Sequence, residues 1–182
     1  MSEHGHERDW PVAALDRIGR LHVLAEAIPS VSIAEAVLDA PFERVWGWVS
    51  DIETSTPRFD GMVRRLRIRH RDGNRLRIMA WQGPGALVPL PFDVVLEDGW
   101  CLMRAAGRLY VVGMAAEPFG ERTRFALMEG VPRRGGGLLR GVTGRHVLGD
   151  VRRLARILGV GATPTWSARP ADDPARRRKD GG

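Results

Sequence analysis

Apolar and polar positions alternate with two different periods along this chain, and the changes of period mark its elements. Leu15, Ile18, Leu21, Ala25 and Ile28 recur at three- and four-residue steps, which predicts a short amphipathic helix between residues 12 and 28. A β-branched, partly alternating run, residues 31–39, reads as a strand. Pro41 suits the first turn of a helix whose face is Phe42, Val45, Trp46 and Val49, ending near Ser50 and Asp51. A second short helix is expected over 52–59, although Thr54, Ser55, Thr56 and Pro57 are poor helix formers. The period then becomes two. Arg65, Arg67 and Arg69 take one face of a strand and Leu66 and Ile68 the other, and Asp72-Gly73-Asn74 turns the chain into a returning strand over 75–81. Further strands are predicted at 87–91 (an edge or kinked strand, because of Pro89 and Pro91), 92–96, 100–106, 108–116 and 122–129. After Gly135-Gly136-Gly137 the helical period returns through Leu139, Val142, Val147, Val151, Leu154 and Leu158. One long C-terminal helix must therefore bury its stripe against an antiparallel sheet.

With 43% hydrophobic residues in 182, the chain supports one core and is too short for two full domains to be expected. The division is an N-terminal extension with a short helix (1–30), a ligand-binding domain (31–160) and a disordered basic C-terminal tail (161–182). The net charge of +6 changes little: residues 169–182 carry five cations against three aspartates, and Lys179 is the only lysine. An arginine count alone is weak support for a nucleic-acid partner. A single cysteine, Cys101, excludes an intrachain disulfide and a cysteine metal cluster, which fits a reducing cytoplasm. No apolar run has transmembrane length. Oligomeric state is not readable.

The order strand, helix, short helix, antiparallel strands, long helix, together with Ala40-Pro41-Phe42-Glu43-Arg44-Val45-Trp46 and Val49-Ser50-Asp51-Ile52-Glu53, resembles the START-like or SRPBCC superfamily of polyketide cyclases and lipid carriers. The likeness spans about residues 31–158. It implies an α+β helix-grip fold, with a curved antiparallel sheet wrapped around the C-terminal helix. It also implies a mostly apolar internal cavity for a lipid, polyketide or other small hydrophobic molecule. The motif is structural, so it speaks for fold and hardly for function.

Strand and helix patterning nominates Trp81, Phe92, Met103, Tyr110, Met114 and Phe125, with Val142 and His146 from the helix, as ligand-binding residues. His146 is placed to orient a ligand carbonyl or act as a general base, against the plainer reading of a surface histidine. The Tyr110 hydroxyl points into the cavity or caps the core at its rim. Trp81 shares parity with Arg75 and Arg77, so it reaches the cavity only if a bulge near Gln82-Gly83 reverses the face; otherwise it stacks on Arg77 or a cross-strand arginine. Arg65, Arg67, Arg69, Arg75 and Arg77 form either an anion-binding stripe or, as favoured, a solvated outer face with Glu35, Glu97 or Glu129 as neighbours. No Ser-His-Asp order, HExxH pair, P-loop or GxGxxG occurs, so catalytic residues are not assigned. The expectation is a hydrophobic ligand, with no metal and no cofactor; the alternative is an aromatase/cyclase-type enzyme acting on a polyketide or related intermediate.

Overall fold

A computed structural model describes residues 15–28, 30–83, 89–108, 110–131 and 137–167. Eight antiparallel strands form one sheet in the order β2-β3-β4-β5-β6-β7-β1-β8. In chain order the elements are α1 (Arg17–Ala27), β1 (Val31–Leu38), α2 (Phe42–Val49), α3 (Ile52–Phe59), β2 (Val63–Asp72), β3 (Arg75–Gln82), β4 (Pro89–Glu97), β5 (Trp100–Ala105), β6 (Val111–Phe119), β7 (Arg122–Gly130), α4 (Gly137–Leu158) and β8 (Ala162–Ser167). This is the helix-grip arrangement that the period changes predict. The two predicted strands around Pro91 are one element, β4. Its prolines precede Phe92, where pairing to β5 begins, so they are paired on one side only, with β3.

Both faces of the sheet are covered. On the inner face, Leu38, Ile78, Phe92, Met103, Met114, Phe125 and Leu127 pack against α2 and α3 and against Val147, Val151, Leu154 and Leu158 of α4. On the outer face α1 lays Ile18, Leu21 and Ala25 over Ile33, Trp100, Val111, Ala115 and Met128. That double cover is why all eight residues of β1 are buried rather than every second one. Gly113 makes the outer approach possible, since a Cβ there would stand 2.5 Å from Leu21 Cδ1. The seal is polar at one edge. Glu35, on the outer face of β1, accepts from Arg124 Nε and Nη2 at 3.1 and 3.0 Å and lies 3.0 Å from His22 Nε2 of α1.

The ends of α4 bear on the site and on the domain boundary. Arg44 donates to the Leu158 carbonyl at 2.7 Å, Gly159 adopts φ 65, and the chain reverses into β8, which pairs with β1 from Ala34 to Leu38. The tail expected from residue 161 therefore begins with a strand; residues 168–182 lie outside those described. No helix of the described residues is long and apolar enough to cross a membrane.

Candidate functional site

At one end of the grip, where β7 finishes and β2 and β6 begin, four titratable side chains converge beneath α4. Asp60 caps the end of α3. Its amide donates to the Thr56 carbonyl, and its Oδ1 accepts from the Met62 and Val63 amides at 2.7 and 3.1 Å. These bonds turn the chain into β2 and fix the carboxylate. Glu129 is the inward residue two beyond Leu127 on β7, and its side chain is fully buried. His146 and Asp150 stand one turn apart on α4, with His146 Nε2 3.1 Å from Asp150 Oδ2, 3.8 Å from Glu129 Oε2 and 4.0 Å from Asp60 Oδ1.

Neighbouring groups orient the cluster. Tyr110 donates its hydroxyl hydrogen to Glu129 Oε2 at 2.9 Å. Its own carbonyl accepts from the Ala105 amide at 2.9 Å, closing the turn between β5 and β6. Asp150 Oδ1 accepts from the Gly61 amide at 3.2 Å and from Arg153 Nη1 at 3.3 Å, and Arg153 also donates to the Phe59 carbonyl at 3.0 Å. Among the described residues, Glu129 Oε1, Asp150 Oδ2 and His146 Nε2 have no hydrogen-bond partner. Burial, reinforced by mutual repulsion, holds the carboxyls toward their protonated forms. Glu129 is pushed well above the usual range by burial and by Asp60 and Asp150. Asp150 is pushed to about 7 by burial and Asp60, and Asp60 is raised by burial. The Tyr110 hydroxyl is raised by burial and by Glu129.

The nominated residues divide into three groups. Phe92, Met103, Met114 and Phe125 are buried on the inner face. Tyr110 and His146 meet in the polar cluster, Tyr110 just ahead of β6 rather than within a strand. Val142 belongs to α4, but its side chain falls outside the described residues. Trp81 is corrected: the bulge occurs in β2, between Val63 and Arg65, and leaves the parity of β3 intact. Trp81 pairs with Arg65 on the outer face, and the Arg65 guanidinium lies 4.9 Å from its ring centroid. The other arginines of that face are exposed, with Arg67 3.0 Å from Glu53 and Arg77 3.9 Å from Asp93.

Glu129, Asp60 and Asp150 are not among the nominated residues. Glu129 had been placed among solvated neighbours of the arginines, yet it shares parity with Phe125 and Leu127, and that signal was present in the sequence. Asp60 sits in a loop, where patterning says nothing. Three surface hollows of about 480, 400 and 410 Å³ lie away from the cluster, and of the nominated residues they include Phe92: Arg75, Arg77, Asp93 and Arg104 line the first, Leu24, Trp100 and Leu102 the second, Met79, Pro91 and Phe92 the third.

No family model matches the chain, and no curated protein matches it. Solved structures do. The Zhui aromatase/cyclase from Streptomyces sp. R1128 superposes with a TM-score of 0.53 at 13% identity, over 71% of this chain and 94% of that one. KanY gives 0.57 at 13% identity over 72% and 99%. Ara h 8.0201 gives 0.52 at 9% identity over 70% and 96%. The chain has the START-like helix-grip fold, and at these identities the likeness is one of fold.

Proposed function

We propose that the chain binds a small hydrophobic molecule, of lipid or polyketide type, between the curved sheet and α4, with Tyr110 and His146 gripping its polar end. The observation that carries this reading is the junction of an apolar inner face with a buried cluster that holds unpartnered polar atoms. A ligand site needs that combination: apolar area for affinity and a few convergent polar groups for orientation. Phe92, Met103, Met114 and Phe125 are buried in that interior. Met103 and Met114 are the adaptable members, since an unbranched thioether changes rotamer at low cost. The fold shared with a named aromatase/cyclase supports the same ligand class.

A second reading, an aromatase/cyclase-type enzyme, is favoured by one feature. An imidazole nitrogen without a hydrogen-bond partner stands near a tyrosine hydroxyl, which suits proton removal beside a carbonyl and hydrogen bonding to the oxygen that gains charge.

Native mass spectrometry of freshly purified protein, followed by displacement of the fluorescent probe 8-anilinonaphthalene-1-sulfonate with fatty acids and aromatic polyketides, tests the binding reading. A co-purified apolar mass, or displacement at micromolar concentration, is the expected result. Absence of both a bound mass and any displacement overturns it.

A further inference from the structure

We infer that Asp60, Glu129, His146 and Asp150 form a site for one divalent transition-metal cation, an inference that goes beyond hydrophobic binding although it shares His146 and the unpartnered atoms of the cluster with that reading. One ligand atom from each of the four lies within 4.8 Å of every other. The residues come from the end of α3, the end of β7 and one face of α4, so the fold, not a local run of acidic sequence, assembles them.

Acidic residues gather in many proteins without binding an ion; here the hydrogen bonds separate the cases. Each of two carboxylates has one oxygen anchored and one left over. Glu129 Oε2 accepts from Tyr110 while Oε1 has no partner, and Asp150 Oδ1 accepts from Gly61 and Arg153 while Oδ2 has none. Both side chains are at least 99% buried, so water does not serve these atoms from bulk solvent. Leaving a buried acceptor unmet costs about 1–3 kcal/mol, more if it is charged. His146 Nε2 and Asp150 Oδ2 stand 3.1 Å apart, yet they make no hydrogen bond. Two polar atoms this close and misaligned for a bond to each other leave room for a third partner between them.

The spacing suits a metal. Bonds of about 2.0–2.2 Å around a tetrahedral centre separate neighbouring ligand atoms by roughly 3.3–3.6 Å. The separations from His146 Nε2 of 3.1 Å to Asp150 Oδ2, 3.8 Å to Glu129 Oε2 and 4.0 Å to Asp60 Oδ1 bracket that value, the last two oxygens also accepting from Tyr110 and from the Met62 and Val63 amides. The anchoring bonds supply the outer support that ligating carboxylates require. One imidazole with three carboxylates selects Zn²⁺ or Mn²⁺ over a soft cation. Arg153 is the rival positive charge, but its Nη1 is engaged by the Phe59 carbonyl and by the anchored oxygen of Asp150, outside the space between the unpartnered atoms. The His146 side chain is 27% exposed, which gives an ion a way in. Gly61 keeps the approach clear, since a Cβ there would stand 3.1 Å from His146 Cε1.

The full chain, stripped with EDTA and then titrated with Zn²⁺ or Mn²⁺ alone, tests the site by calorimetry and thermal unfolding. One ion per chain is expected, with a rise in Tm of about 5–10 °C at a hundredfold excess over Kd. Asp150→Asn and Glu129→Gln should each weaken binding at least tenfold. Glu129→Gln should also leave the stripped protein's own Tm undiminished, which separates loss of a ligand from misfolding. No stoichiometric binding of either ion up to about 1 mM, or binding unchanged in both variants, overturns the assignment. Because no hydrophobic ligand enters this experiment, its failure leaves the binding reading of the cleft standing.

Discussion

Tyr110 and Glu129 are joined by one hydrogen bond of 2.9 Å from hydroxyl to carboxyl, and it is the only one that reaches the Glu129 side chain among the described residues. Tyr110→Phe removes it and strands both oxygens of a fully buried acid. The expected cost is about 1–3 kcal/mol in denaturant unfolding of the stripped protein. The penalty should shrink once Glu129 is itself replaced by leucine, because the stranded acceptor is then gone. An unchanged penalty in that double-mutant cycle would mean that Tyr110 stabilises through packing alone.

The joint between α1 and the sheet should be acid-labile. The His22 ring and the Arg124 guanidinium hold the Glu35 carboxyl down at about 2, against an ordinary value of 4.5. A depressed carboxylate contributes stability that is fully present above about pH 4.5 and is lost as pH falls toward about 2. The shift corresponds to at most roughly 3 kcal/mol. Urea midpoints measured across that window should fall in the wild type and stay nearly level in Glu35→Gln. Parallel curves would show that other carboxyls carry the acid sensitivity.

Trp81→Phe should bind a hydrophobic fluorescent probe as tightly as the wild type, with equal quenching after allowance for one fewer indole, because Trp81 lies under Arg65 on the outer face. Arg65→Ala should cost about 0.5–1 kcal/mol in the wild type and less in the Trp81→Phe background. A weakened probe affinity in Trp81→Phe would place the ring against the ligand.

Truncation should have two regimes. Removing residues 162–182 strips β8 from β1 and leaves the backbone of Ala34–Leu38 unpaired on that side, so Tm should fall by about 3 °C or more. Removing 168–182 alone is expected to leave Tm unchanged within error. Equal losses from the two deletions would mean that the last fifteen residues dock on the domain.

The fold was legible in the sequence because periodicity reports what a buried face demands. The stripe Val147, Val151, Leu154 and the alternation Leu66, Ile68 against Arg65, Arg67 both survive in the structure. The short strand β8 was not legible, since Ala162-Thr163-Pro164-Thr165 has neither period and is ordered by the open edge of β1. The site was half legible. His146 and Tyr110 stand out by residue type, whereas Asp150, one turn from His146, is not among the nominated residues. Glu129 was misread because a charged residue in a strand is usually a surface residue, while the parity that it shares with Phe125 was given too little weight. Asp60 becomes significant only once α3 and α4 are side by side, which one-dimensional patterning does not reveal.

β2 is the outermost strand on the side of the sheet away from β8. Its register shifts twice against β3, and Arg64, Arg65, Arg67, Arg69 and Arg71 are all exposed along it. A strand laid on this border would meet a kinked ladder and a row of like charges, so the border is a poor template for edge-to-edge growth. Three of these arginines, Arg65, Arg67 and Arg69, belong to the stripe that strand alternation offers as an anion site, and on this border their charge would disfavour the pairing of a second strand. Neutralising them, rather than loosening the core, is the change that should turn this chain toward fibrils.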